Sequence, residues 1–211
     1  MNWLTNGLRC AIMSTENLKE VDIMEKKNNS KLKLTTLAMA QIAVSAALLC
    51  VLSPLAIPLP IPVPFTLQVL VVIMIALILK PSYAIIAQLI YTVLGIVGLP
   101  VFSGGKSGFG TILSPTGGFI IGFIIASFFV SLVKEKLKIK NSVLRYILSS
   151  VIVGIPCIYI PGIAMYMIFV KTDLLTAIVT LTSVFILIDL AKCVIASLIA
   201  VPVNKALDKI K

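Results

Sequence analysis

Histidine is absent from this chain, and aspartate and glutamate together number only 8. The residue type most used as a general base and metal ligand is therefore missing. The four cysteines, Cys10, Cys50, Cys157 and Cys193, form no CxxC pair, and three of them lie in apolar runs. Cysteine in that setting behaves as a small hydrophobe. No metal site and no resident cofactor are expected from such a donor set. No GxxxxGK[ST] occurs, which argues against ATP hydrolysis by the chain itself. Neither paired carboxylates nor a His-activated nucleophile is available, so the chain is not expected to be an enzyme. Met1–Asn29 is polar and of mixed charge, without the apolar core and cleavage site of a signal peptide. Residues 1–33 are expected to be a disordered cytoplasmic tail, with Met13 and Met24 as alternative starts.

What the chain has in abundance is apolar side chain. Hydrophobic residues make up 59% of it and charged residues 12%, and the mean hydropathy is +1.12. A soluble core of this size cannot hide so much apolar surface, so residues 34–211 are read as one integral membrane domain. At about 20 residues per crossing there is room for five or six helices. The expected spans run about Leu34–Ile57, Phe65–Leu79, Ser82–Leu99, a fourth ending near Val133, Val143–Val170 and Leu181–Val203. Ser114 before Pro115 suggests the entry to the fourth. Pro156, Pro161 and Gly162 interrupt the fifth, where a kink or a re-entrant bend is expected.

The net charge of +10 lies in lysines beside the hydrophobic runs, the distribution of a positive-inside signal rather than of a nucleic-acid surface. With six spans, Lys80, the cluster Lys134, Lys136, Lys138, Lys140 and Arg145, and the C-terminal lysines share one side. Five spans would split them. Both termini are therefore expected in the cytoplasm.

Between the third and fourth spans lies Gly95–Gly122, with nine glycines and two prolines. Backbone of that composition cannot remain helical throughout, and at membrane depth it must rest against protein or a cavity. It is read as a lid and rim over a binding cavity. Phe102 and Phe109 are candidate apolar covers, and Lys106 is its one charge. The Pro58–Pro64 run, extended by its alternating prolines, falls on the same outer side. Gln68, Gln88 and Tyr91 are polar positions that either bond between helices or line a pocket. Ala43 and Ala47 form a small-xxx-small face, for internal packing or for a partner.

Asp189 and Lys192 lie deep in the final apolar run. An ionised side chain near the bilayer centre costs about 2.5–3.5 kcal/mol. At i,i+3 the two share a helix face and can pair. Together they offer an acceptor and a donor to a ligand carrying both polarities.

Four segments in order, Pro62–Gln68, Gly95–Phe102, Pro115–Gly118 and Asp189–Lys192, resemble the BioY family, the biotin-binding S components of energy-coupling-factor (ECF) vitamin transporters. The resemblance covers Leu34 to the C-terminus. It implies an all-α integral membrane protein, six transmembrane helices in a compact bundle, in the plasma membrane of a prokaryote. It further implies a biotin-capture subunit of an ATP-driven importer, with Asp189 and Lys192 on the ureido head group. Phe102 and the glycine-rich loop would cover the apolar part of the ligand. Gln68, Gln88, Tyr91, Thr116 and Gly117 are further expected contacts, and Lys106 is expected near the carboxylate. Ala43 and Ala47 would dock on the transmembrane coupling subunit EcfT, with two cytoplasmic ATPases using ATP. Ser114 and Ile188 stand where the family often has glycine; either side chain could crowd the pocket. An S component for another vitamin and a stand-alone secondary transporter for a small organic solute are the alternatives.

Overall fold

A computed structural model of the chain describes residues 35–209; the tail read as 1–33 lies outside the described residues. In chain order the elements are α1 (Thr36–Leu52), the two-residue strands β1 (Ala56–Ile57) and β2 (Phe65–Thr66), α2 (Gln68–Ile78), α3 (Pro81–Val97), the single turn α4 (Phe109–Ile112), α5 (Gly117–Lys136), α6 (Ser142–Val170) and α7 (Leu174–Asp208). Helices α5, α6 and α7 are long and apolar enough to cross a membrane, while α1, α2 and α3 are shorter apolar helices. Their outward faces carry bare Val, Leu and Ile, as at Val51, Ile160 and Leu187. That is a lipid-facing surface rather than a water-facing one. The chain is an all-α membrane protein, and its described residues build six helices plus one short turn.

The helix α2 is the central post. Val71, Val72, Ile73, Ala76 and Leu77 are fully buried, and the helix packs against both α5 and α7. Its 11 residues rise only about 16 Å, roughly half of a 30 Å hydrocarbon layer. At least one end must therefore sit at membrane depth, where lipid offers its free carbonyls and amides no partner. Protein supplies them at the C-terminal end. Lys134 Nζ of α5 donates to the carbonyls of Ala76 (3.4 Å), Leu77 (3.0 Å) and Leu79 (2.9 Å). Ser131 Oγ donates to Leu79 O at 2.6 Å, and Asn204 Nδ2 of α7 to Leu77 O at 2.9 Å.

Helices α5 and α6 pack together extensively and approach backbone to backbone. A side chain at Gly118 would run into the carbonyl of Pro161, and a Cβ at Gly122 would stand 2.8 Å from Ile158 O. Reciprocally, Gly162 of α6 seats the ring of Phe119. Glycines four apart let two backbones touch where lipid gives no hydrophobic drive to associate.

Several expected boundaries shift, each for a local reason. Phe65 and Thr66 do not begin α2, because they pair with Ile57 and Ala56 in an antiparallel ladder that closes the proline run into a hairpin. No re-entrant bend forms at Pro156 or Pro161: α6 runs through both. Its irregularity is a π turn at Ser150–Gly154, just ahead of Pro156, where wider winding accommodates a residue without an N–H. The last helix starts at Leu174 rather than Leu181, capped by Asp173 accepting from Thr176 N–H at 3.1 Å. Hydrogen bonds from Thr176 hold the Asp173 carboxyl below its usual range. Ser114 is not the cap of α5; the helix begins at Gly117, after Thr116. Lys134, counted with the loop lysines, is a buried residue and not a surface charge.

Candidate functional site

The hairpin and the glycine-rich segment meet at one end of the bundle. Gly104 and Gly105 have φ of 70° and 73°, a region that residues with a Cβ rarely adopt. They turn the chain so that Phe102 N donates to Lys106 O at 3.0 Å and Gly104 N to Pro54 O at 3.2 Å. Gly108 N donates to Gly95 O at 2.8 Å, pinning the far side of the loop to the end of α3. A Cβ at Gly95 would strike the ring of Phe102, so its absence is what lets Phe102 bury completely.

Beneath this lid is a cavity of about 40 Å³, whose walls include Gln68, Phe102, Thr111, Thr116 and Phe119. Above it lies a wider space of about 330 Å³, between the proline hairpin and the glycine loop, with Lys106 on its wall. Pro64 and Ser103 belong to both. Ser114, which stands outside the walls, donates from Oγ to Thr111 O at 2.6 Å and lies 2.9 Å from Thr116 Oγ1. It organises two wall residues without crowding the cavity.

The charged pair is intact and deep. Asp189 and Lys192 are 4% and 5% exposed, and Lys192 Nζ donates to Asp189 Oδ1 at 2.9 Å. A third member completes the group: Tyr159 of α6 donates its hydroxyl to Asp189 Oδ2 at 2.9 Å. The Lys192 ammonium also lies 4.4 Å from the centroid of the Phe65 ring, a favourable electrostatic contact for a desolvated cation. Phe119 packs edge-on against Tyr159, centroids 6.3 Å apart. Phe119 faces the cavity, and Phe65 sits between its wall residues Pro64 and Thr66. Neither charge lines the cavity: Asp189 is linked to its wall through Tyr159 and Phe119, and Lys192 lies over Phe65, which adjoins wall residues without being one. Ile188, beside Asp189, is 41% exposed and points away from the bundle.

The expected site residues divide by position. Gln68, Phe102 and Thr116 line the inner cavity, and Lys106 lines the outer space. Gly117 is buried next to Thr116, with no room for a side chain against Ile112 O. Gln68 Nε2 donates to Tyr91 OH at 2.6 Å, and Tyr91 OH to Val101 O at 3.2 Å. These bonds tie α2, α3 and the lid together, and Tyr91 packs edge-on against Phe102 at 5.7 Å. Gln88 is buried on α3 outside both cavity walls, its Nε2 without a partner. Phe109 is 59% exposed and stands outside both walls. Ala43 and Ala47 are exposed on α1, whose buried face is Ala38, Ile42, Ser45, Ala46 and Leu49. Sequence reasoning missed Tyr159, whose only signal was a hydroxyl in an apolar run.

The chain is 35% identical to the biotin transporter BioY2 of Lactococcus lactis subsp. cremoris over 180 residues, 85% of this chain and 94% of that one. It is 38% identical to the biotin transporter BioY of Thermotoga maritima over 130 residues, 62% of this chain and 74% of that one. Among solved structures it is similar to the crystal structure at 2.1 Å of the S-component for biotin from an ECF-type ABC transporter. That match has a TM-score of 0.74 at 28% identity, covering 80% of this chain and 90% of the other. A model of the BioY family matches residues 24–209, beginning ten residues ahead of Leu34, where the resemblance was expected to start. With a match over nearly the whole chain and a shared fold, this chain belongs to the BioY family.

Proposed function

We propose that this chain captures biotin as the substrate-binding subunit of an ATP-driven importer of the ECF type, in a prokaryotic plasma membrane. The observation that carries the reading is the buried Tyr159–Asp189–Lys192 group. A carboxylate offers about four lone-pair sites. Tyr159 and Lys192 occupy two, which leaves two for the two N–H groups of a cyclic urea. Lys192 has three donor hydrogens and spends one on Asp189, so a ureido oxygen can take another. The apolar rings of Phe102, Phe119 and Phe65 suit a thioether ring and an aliphatic tail, as a mostly apolar pocket with few polar groups should. Gln68, Thr116 and the backbone at Gly117 are the remaining contacts of this reading. Gln88 and Tyr91 support the wall from α3.

A ligand of that size needs more room than a 40 Å³ cavity provides. Entry therefore moves a ring, Phe65 or Phe119, and brings the head group onto the charged pair. The ligand carboxylate then lies away from Asp189, toward Lys106. The relatives' names support biotin as the substrate, and the S-component likeness supports a partnership with the coupling subunit EcfT and two ATPases. Ala43 and Ala47 would be the face that meets EcfT, being exposed while the opposite face of α1 is buried. Both termini would lie in the cytoplasm, by the lysine distribution.

The test is equilibrium binding of labelled biotin to the purified chain in detergent, with thiamine, riboflavin and lipoate as competitors. Saturable binding displaced only by biotin is expected. Displacement by another vitamin would reassign the substrate, and no saturable binding would refute the reading.

A further inference from the structure

The hydrogen bond between Gln68 and Tyr91 does more than tie helices together: it fixes which end of the Gln68 amide is free. Tyr91 has one hydroxyl proton, and it goes to Val101 O at 3.2 Å, a carbonyl that can only accept. The hydroxyl is left with lone pairs toward α2, so at 2.6 Å it meets the amide nitrogen of Gln68 rather than the amide oxygen. Gln68 Oε1 is turned to the other side. It has no hydrogen-bond partner among the described residues, yet unlike Ser53 Oγ, Gln88 Nε2 and Ser103 Oγ it is not enclosed, and Gln68 lines the inner cavity. The two wall threonines have the same polarity, because their protons are spent elsewhere. Thr111 Oγ1 donates to Ser107 O at 2.9 Å. Ser114 gives its proton to Thr111 O at 2.6 Å, so in its 2.9 Å contact with Thr116 the threonine is the donor. What these three side chains offer a ligand is oxygen lone pairs.

We infer that the inner cavity selects its ligand by demanding donors: Gln68 Oε1 accepts one of the ligand's two ring N–H groups, sharing the urea with Asp189, and Tyr91 is the positioning residue that holds the amide in that sense. This rests on the function proposed above and deepens it. It also sets the direction of the ligand. A carboxylate put against these walls meets lone pair on lone pair, and a charge desolvated without a donor is costly. The head that carries the N–H groups therefore enters first. Its one acceptor oxygen is left for Lys192, which spends a single hydrogen on Asp189. The carboxylate stays in the outer space with Lys106.

The experiment measures biotin binding to the full chain in detergent for wild type, Gln68→Met, Tyr91→Phe and the double variant. It then repeats wild type and Gln68→Met with the two analogues in which a ring oxygen replaces one N–H. Gln68→Met should weaken biotin binding about tenfold, the cost of stranding a buried donor. Tyr91→Phe should cost about three- to tenfold by itself. Once Gln68 is methionine it should cost less than about twofold, because it acts through the amide. One analogue, the one whose oxygen falls opposite Gln68, should bind Gln68→Met as tightly as wild type or tighter. Unchanged biotin affinity in Gln68→Met would overturn the inference. So would equal losses from Tyr91→Phe in both backgrounds, which holding the lid alone would give, or weaker binding of both analogues by Gln68→Met. If wild type binds no biotin, the proposed function fails; an indifferent Gln68 in a wild type that binds biotin overturns this inference alone.

Discussion

Replacing Lys134 by methionine tests the reasoning that a helix half as long as the membrane needs protein partners at its end. Methionine keeps the volume of the stem and removes the ammonium, which is 8% exposed at the residue level. Three carbonyls at the C-terminal end of α2, those of Ala76, Leu77 and the capping Leu79, lose a charge-assisted bond. Leu77 O retains Asn204 Nδ2 and Leu79 O retains Ser131 Oγ, but Ala76 O loses its lysine partner. One unsatisfied buried carbonyl costs about 1–3 kcal/mol, and weakening the two others adds to it. Removing a buried ammonium returns part of its desolvation cost. The net is a destabilisation of about 2–3 kcal/mol. For a chain of this length each kcal/mol lowers the unfolding midpoint by about 2–4 °C, so thermal unfolding in detergent should move down by roughly 4–12 °C. The Ser131→Ala, Lys134→Met double variant strips Leu79 O of both donors and should lose more than the two single changes summed. A midpoint within about 1 °C of wild type for Lys134→Met, or plain additivity in the double variant, would refute the reasoning.

Tyr159→Phe keeps the ring against Phe119 but frees Asp189 Oδ2; biotin affinity should fall about tenfold, read by equilibrium binding. Unaltered affinity would remove Tyr159 from the site. Gly95→Ala drives the Phe102 ring into the cavity and should weaken biotin binding by tenfold or more, while Gly95→Ala combined with Phe102→Leu should recover part of the loss, since the smaller side chain can yield. No recovery would mean that the glycine matters for something other than Phe102. Ala43→Trp with Ala47→Trp should leave biotin binding intact and abolish uptake in cells that supply the coupling subunit and ATPases; normal uptake would exclude that face as the docking surface.

Much of this was legible in the sequence because membrane folding makes its demands locally. Six apolar segments follow from length and hydropathy, and the Asp189–Lys192 pair follows from helical spacing alone. Other features depend on which way a side chain turns, and spacing does not reveal that. Lys134 looks like one more loop lysine until α2 proves too short to reach the surface. Tyr159 joins Asp189 across 30 residues, and Gln68 joins Tyr91 across 23. Neither separation fits a single helix face. The hairpin at Ala56–Thr66 was hidden because prolines signal extended chain without saying what it pairs with. One miss was avoidable: Asp173, three residues before Thr176, carries a helix-start signature.

The measurement that bears most directly on the central claim is biotin binding by Asp189→Asn, Lys192→Met. This pair of changes removes both charges together, so no unpaired ion remains buried to unfold the bundle. If the two residues hold the ureido group, the loss of two charge-assisted hydrogen bonds, about 1.5–3 kcal/mol each, should weaken binding by roughly 150-fold or more. The unfolding midpoint should stay near that of wild type. Wild-type affinity in a folded double variant would contradict the account.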